Sequence, residues 1–366
     1  MKFNLQRDDL LPSLQIVNSV VERRHTLPAL SNILVSAGTK GITLTGTDME
    51  VELICTINQT TKEEREFTVP ARKLLDICRA LPETSVLEFM VEKDQAIIKS
   101  GKSRFTLATL PAKDFPSTET PESFIEFEIA QEDFKSLIED TMFAMAQQDV
   151  RYYLNGLLLE VSEHTLKAVA TDGHRLALKE IQKETGMKEL KQVIIPRKGV
   201  MELARLLANK EDKVKVQISK NHIRMKIENI LFTSKLIDGR FPDYERVVPQ
   251  ESGNTVKANR DALRQSLTRA SILSNEKYKG VRIILKKDSL KAFAHNPEQE
   301  EAEEELEVEY SGDEMEIGFN VTYLLDAINA IKTEKVIMTT TSPDSSCLLL
   351  PEDKTNCKYV VMPMRL

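Results

Sequence analysis

Three series of segments recur along this chain at one interval, and that recurrence restricts its folds more than any single motif does. A strand-like run into Thr-Asp appears as LTGTDMEVEL around Asp48 and again as AVATDGHRLAL around Asp172. It returns in altered form as AFAHNPEQEEAEEEL around Asn296, so the anchors lie 124 residues apart at each step. FTVPARKLLDICRAL, VIIPRKGVMELARLL and IGFNVTYLLDAINAI form a second series, anchored at Pro70, Pro196 and Asn320. RFTLATLPAKDFP, LFTSKLIDGRFPDY and KYVVMPMRL form a third. Three series in one register predict a unit of about 120 residues present three times.

Each unit carries a helical pattern near its start: DDLLPSLQIVNSVV, EDFKSLIEDTMFAMA and RDALRQSLTRASIL. Apolar residues there recur every three or four positions, which gives a helix one buried face. Alternating runs such as GITLTGTDMEVELICTI and HIRMKIENILFTSKLI read as antiparallel strands. The expected order is helix, several strands, helix, several strands: an α+β domain with its sheets antiparallel. Boundaries fall near the turns at Phe115-Pro116 and Phe241-Pro242, giving domains 1–120, 121–246 and 247–366.

Composition narrows the class. The chain is 366 residues long and 41% hydrophobic, enough for several buried cores. No apolar run reaches the roughly 18 residues of a membrane span, and the opening MKFNLQRDDLLPSL lacks the apolar stretch of a secretory signal. Cys55, Cys78, Cys347 and Cys357 are scattered with no CxxC, as expected of reduced, structural thiols in a cytoplasmic protein. The net charge of −7 counts against a nucleic-acid partner until its distribution is considered. EQEEAEEELEVE at 298–309 holds eight acids and no base, so the rest of the chain carries a formal +1.

Catalytic patterns are weak. SGKS at 100–103 lacks the glycine that a phosphate loop needs five residues before Gly101; Ala96 stands there, within a strand-like run. The histidines His25, His164, His174, His222 and His295 show no metal-ligand spacing, and no metal or cofactor is expected. TDGHR at 171–175 offers Asp172 and His174 as an acid–base pair. Yet its counterpart at Thr47-Asp48 has no histidine, which favours a turn held by side-chain bonds to local backbone.

Basic residues gather on some helices. ARKLLDICRAL sets Arg72, Lys73 and Arg79 against Asp76, RKGVMELARLLANK sets Arg197, Lys198, Arg205 and Lys210 against Glu202, and RDALRQSLTRASIL sets Arg260, Arg264 and Arg269 against Asp261. Such faces are either ordinary solvated surface or a segregated basic surface that attracts phosphates without reading bases. QQDVRYYLNG adds Gln148, Arg151, Tyr152 and Tyr153, either as a stacking platform or as one core and one exposed tyrosine. The apolar C-terminal segment KYVVMPMRL suits a final strand, an adaptable peptide-binding edge, or both.

RHTLPAL, LTGTDMEVE, TVPARKLLDICR, QQDVRYYLNG, VATDGHRLAL, FTSKLIDGRFPDYERV, ILSNEKYKGVR, YSGDEMEIGFNVTYLLDA and YVVMPMRL, in this order, resemble the bacterial DNA polymerase III beta subunit family, the sliding clamps, nearly end to end. The resemblance implies a non-enzymatic, head-to-tail homodimeric ring of six similar domains, with helices lining the hole and sheets outside. It implies DNA contacts at Arg24, Arg72, Gln148, Tyr152 and Tyr153. It implies an apolar cleft for short partner peptides at Leu154, Thr171, Gly173, His174, Arg175, Leu176, Pro242, Arg246, Val247, Asn320, Tyr323, Ser346, Val360, Met362, Pro363, Met364 and Arg365. At the dimer joint it implies Phe105 and Leu107 against Ile272 and Leu273. Around them Lys99, Lys102 and Arg104 would face Glu298, Glu300, Glu301, Glu303 and Glu304. The partners implied are sequence-independent duplex DNA, the replicative polymerase, the clamp loader, and other polymerases and repair proteins. Segments 55–68 and 179–192 match no family pattern and read as variable loops. The competing expectation is a nucleic-acid enzyme using Asp172, His174 and His295.

Overall fold

The computed structural model describes residues 2–365 apart from 23–26, 93, 117, 119–123, 251, 354 and 355. The first repeat runs β1 (Lys2–Gln6), α1 (Arg7–Val17), β2 (Asn32–Gly38), β3 (Gly41–Thr47), β4 (Val51–Ile57), β5 (Arg65–Pro70), α2 (Ala71–Ala80), β6 (Val86–Glu92), β7 (Gln95–Ser100) and β8 (Ser103–Ala108). The second is β9 (Ile125–Ala130), α3 (Gln131–Glu139), β10 (Gly156–Val161), β11 (Thr165–Thr171), β12 (Arg175–Gln182), β13 (Lys191–Pro196), α4 (Arg197–Leu206), β14 (Lys213–Ile218), β15 (His222–Ile227) and β16 (Ile230–Lys235). The third is β17 (Asn254–Asn259), α5 (Arg260–Ser271), β18 (Gly280–Lys286), β19 (Ser289–His295), β20 (Glu301–Glu307), β21 (Met315–Asn320), α6 (Val321–Ala330), β22 (Lys335–Thr340), β23 (Cys347–Pro351) and β24 (Cys357–Val361).

The same element order three times is the α+β triplication expected from the repeats. Pro70, Pro196 and Asn320 each stand at the N-cap of the second helix of their repeat. Proline there costs no helix hydrogen bond, and the Asn320 side chain accepts from the Thr322 amide instead. On α2 the buried residues Ala71, Leu74, Leu75 and Cys78 follow helical spacing, which leaves Arg72, Lys73 and Arg79 exposed.

Three local expectations need correction. Each repeat opens with a strand before its helix: β1, β9 and β17. These strands pair far along the chain, β1 with β6 and β9 with β14, so local pattern gave no sign of them. Helix α3 stops at Glu139, and Met142–Ala144 forms a separate 3-10 turn. The segments 55–68 and 179–192 are not wholly loops, because they contain the ends of β4 and β12 and the starts of β5 and β13. SGKS is the hairpin between β7 and β8, with Ser100 paired to Ser103.

Strand order is the feature with most consequence. One eight-stranded sheet runs β5-β2-β3-β4-β16-β15-β14-β9 and another β13-β10-β11-β12-β24-β23-β22-β17. Each is two four-stranded halves from successive repeats, joined by β4 to β16 and by β12 to β24. The remaining sheets, β1-β6-β7-β8 and β20-β19-β18-β21, have four strands. By repeat position β20 corresponds to β4 and β12, while β8 corresponds to β16 and β24. These two strands therefore end their sheets where their counterparts are paired. Because strands pair across repeats, the chain divides into two compact units, Met1–Ala130 with Glu211–Leu236, and Gln131–Lys210 with Ile237–Leu366. Each holds one eight-stranded and one four-stranded sheet.

Candidate functional site

Both Thr-Asp turns are held by their own side chains. At the end of β3, Thr47 Oγ1 donates to the Val51 carbonyl (3.0 Å), and Asp48 Oδ1 accepts from the amides of Glu50 (2.9 Å) and Val51 (2.7 Å). At the end of β11, Thr171 Oγ1 donates to the Arg175 carbonyl (2.6 Å), and Asp172 Oδ1 accepts from the amides of His174 (2.9 Å) and Arg175 (3.1 Å). The same bonds recur at the same offsets, so Asp172 is committed to its turn. Its second oxygen takes Arg175 Nε at 3.0 Å. Gly173 adopts φ +89°, and a Cβ there would meet the Arg151 guanidinium at 3.0 Å. Only glycine fits without strain at such a φ.

That turn sits beside the C-terminal segment. In register, Arg175 faces Val361 and Leu176 faces Val360, and the Met362 amide donates to the His174 carbonyl at 3.0 Å. The Met364 amide donates to the Gly318 carbonyl at 2.8 Å. Leu154, Leu176 and Val360 are buried in one apolar cluster with Phe241 and Tyr244. They are core residues, not accessible walls. The accessible residues around them are His174, Pro242, Arg246, Val247 and Arg365, which are exposed, with Thr171, Gly173, Asn320, Tyr323, Ser346, Met362, Pro363 and Met364 half-buried. Ser346 directly precedes β23, whose Cys347 pairs with Val361. Pro242 and Val247 flank the 3-10 turn Tyr244–Arg246. The Tyr244 hydroxyl, pushed above its ordinary pKa by burial, donates to Glu160 at 2.8 Å and anchors that turn.

Arg175 ties this wall to α6. One guanidinium nitrogen donates to the Phe143 carbonyl (2.7 Å), another to Asp326, and the group lies 4.5 Å from the Tyr323 ring centre. His174 stacks on the same ring at 6.4 Å. Asp326 and Phe143 were missed by sequence reasoning. The available signal was that Asp326 lies three residues after Tyr323, on one helix face.

The nucleic-acid candidates are more dispersed. Arg24 lies outside the described residues. Arg72 is exposed on α2, its Nε 3.9 Å from Asp76. Gln148 is exposed with φ 56°. The tyrosines divide: Tyr153 packs against the apolar cluster, while Tyr152 is 57% exposed, their rings edge-on at 5.7 Å. Arg151 bonds Asp149 through Nε (3.0 Å) and a terminal nitrogen (2.8 Å), which holds that carboxyl down at about 2. On α5, Arg260 and Arg264 pair with Asp261 and Arg269 with Glu304, which favours the ordinary solvated face of the two readings.

At the sheet edges, Lys99, Lys102 and Arg104 are exposed and Phe105 is half-buried, but Leu107 is only 7% exposed and belongs to the core. Ile272 is 74% exposed and Leu273 half-buried. Along β20, Glu301 and Glu303 project to the exposed side, whereas Glu304 turns toward α5 and Arg269. Glu303 bonds Lys291 (2.8 Å), Glu300 bonds the Asn296 side chain (2.6 Å), and Glu298 is exposed.

Half-sheets repeated through three similar α+β units, and an aspartate tied up in its turn, define a class: a triplicated clamp-type fold. Comparison supplies the particular family. Models of the DNA polymerase III beta subunit match through its N-terminal domain at residues 1–119, its central domain at 128–243 and its C-terminal domain at 245–365. The Beta sliding clamp of Pseudomonas aeruginosa is 51% identical, and that of Escherichia coli K12 48%, each over 100% of both chains. The crystal structure of the Pseudomonas aeruginosa DNA polymerase III subunit beta superposes with a TM-score of 0.97 at 51% identity, covering 100% of both chains. The chain belongs to the DNA polymerase III beta subunit family, the beta sliding clamps, which are processivity factors and not enzymes.

Proposed function

We propose that two copies of this chain close head to tail around duplex DNA and hold the replicative polymerase on it. The observation that carries this reading is the strand order. Inside the chain, every counterpart of β20 is paired to a counterpart of β8. A second copy supplies the missing partners: β20 of one protomer lies along β8 of the next, and the β8 of the first takes the β20 of the second. Charge favours the joint, with exposed Lys102 and Arg104 on one edge and Glu301 and Glu303 on the other. Exposed ion pairs contribute little each; the open backbone edges and the exposed Ile272 supply the stronger drive.

Topology then replaces tight binding. A ring that slides must hold DNA weakly, and an acidic chain with only local basic faces, such as that of α2, meets that need. Arg72, Gln148, Tyr152 and Tyr153 touch phosphates and sugars. The cleft over Leu154, Leu176 and Val360 takes an apolar peptide from the polymerase, and in turn from the clamp loader, other polymerases and repair proteins, in the reducing cytoplasm. After loading on nicked circular DNA, the protein is expected to stay bound until the circle is linearised. Equal retention on circular and linear DNA would exclude the ring.

A further inference from the structure

The third repeat carries a mainly apolar cavity of about 360 Å³. Tyr278, Phe293 and Met364 line it together with Arg282, His295 and Arg365. No carboxylate lines it among the described residues. The Tyr278 loop is fixed by Asn275 Oδ1, which accepts from the amides of Lys277 (2.9 Å) and Tyr278 (3.0 Å). Although its backbone is held, the Tyr278 ring is 55% exposed, with the Lys277 ammonium 5.2 Å from its centre. Arg282 lies 5.8 Å from the Phe293 ring and pairs with Glu316 at 3.1 Å, so that its charge is already opposed. Lys277 and the exposed Arg365 supply the remaining positive charge.

The cavity shares residues with the proposed cleft. Met364 and Arg365 belong to both, and the cleft residue Asn320 donates its side-chain amide to the Tyr278 carbonyl at 3.3 Å. At the small end of ligand pockets, which span about 300–1,000 Å³, it suits one large side chain. Aromatic walls favour an aromatic ring, stacked or edge-on. Cations with no lining acid favour a neighbouring carboxylate.

We propose that this cavity is a side pocket for the partner chain seated in the cleft, and that it takes an aromatic residue adjacent to an acidic one. The inference rests on the cleft reading. The test uses the full-length protein and the probe acetyl-Asp-Trp-amide, with acetyl-Asp-Ala-amide as control, followed by saturation-transfer NMR. The Trp probe is expected to bind at millimolar concentration, the Ala control not. Tyr278→Ala, at an exposed ring, should weaken the probe at least fivefold with an unchanged thermal melt, while His174→Ala should not affect it. A peptide that His174→Ala displaces from the cleft should gain at least fivefold in affinity when extended by Asp-Trp rather than Asp-Gly, and lose that gain in Tyr278→Ala. Probe binding indifferent to Tyr278→Ala, or an extension without gain, overturns the proposal. A polymerase indifferent to His174→Ala overturns the cleft reading instead, whatever the dipeptide does.

Discussion

The guanidinium carbon of Arg175 lies 4.5 Å from the centre of the Tyr323 ring. The contact joins the start of β12 to the first turn of α6, and both flank the proposed cleft. Arg175 also bonds Asp172, Asp326 and the Phe143 carbonyl, so one side chain fixes both flanks. Arg175→Ala strands those acceptors and releases the ring. The expected loss is about 2 kcal/mol of stability, from hydrogen bonds to charged groups, with polymerase affinity falling about tenfold or more. Arg175→Lys should rescue little, because an ammonium cannot serve three acceptors in a planar fork and stack as well. Thermal melts and polymerase titrations check both variants.

Ile272→Asp tests the joint. The side chain is 74% exposed in the single chain, so the fold should survive, whereas a charge placed in an apolar contact is costly. Sedimentation should show monomer where the parent is dimer, with unchanged circular dichroism. Leu107→Asp should instead unfold the first repeat, since Leu107 is only 7% exposed.

Arg72→Ala tests the DNA face. One lost phosphate contact should reduce the salt slope of DNA binding by about 1 and weaken all sequences alike. A sequence-dependent loss would contradict backbone-only contact.

Gly46→Ala tests the packing of the first repeat. A Cβ there would lie 2.3 Å from the Val17 carbonyl oxygen at the end of α1. Overpacking of this kind costs about 1–3 kcal/mol. Ala170 and Ala294 hold the corresponding positions of the later repeats, both buried, so the clash belongs to the first repeat alone.

The thiols give a pH test. Burial pushes Cys78 and Cys347 up to about 12. An ordinary thiol, near 8.5, is about one quarter thiolate at pH 8, against about one part in ten thousand for these. Raising the pH from 7 to 10 should therefore leave native labelling of these two slow. Denaturant should expose all four cysteines, each buried in the fold. Prompt labelling of the native protein at pH 8 would contradict this.

The triplication was legible because its anchors sit where a strand ends or a helix starts: Asp48 and Asp172 in identical turns, Pro70 and Pro196 at helix caps. The opening strands were not, because β1 reads KFNLQ, short and half polar, and finds its partner β6 more than 80 residues away. The proposed cleft residues came only from family motifs. Their division into buried and accessible ones depends on β12 meeting β24, which no local pattern reveals. Likewise the sequence set only Asp261 against the α5 arginines, because Glu304, the acid that meets Arg269, is 35 residues distant.

The ends of the sheets have one more consequence. An open string of such chains, however long, always keeps one acidic and one basic end. A closed pair keeps none. When one joint of a closed pair breaks, the other still holds the two loose ends near each other, at an effective concentration on the order of millimolar for a short tether. Reclosure is then unimolecular and independent of how much protein is present, whereas first assembly is not. A DNA strand thus escapes through a gap that lives only as long as something holds it open.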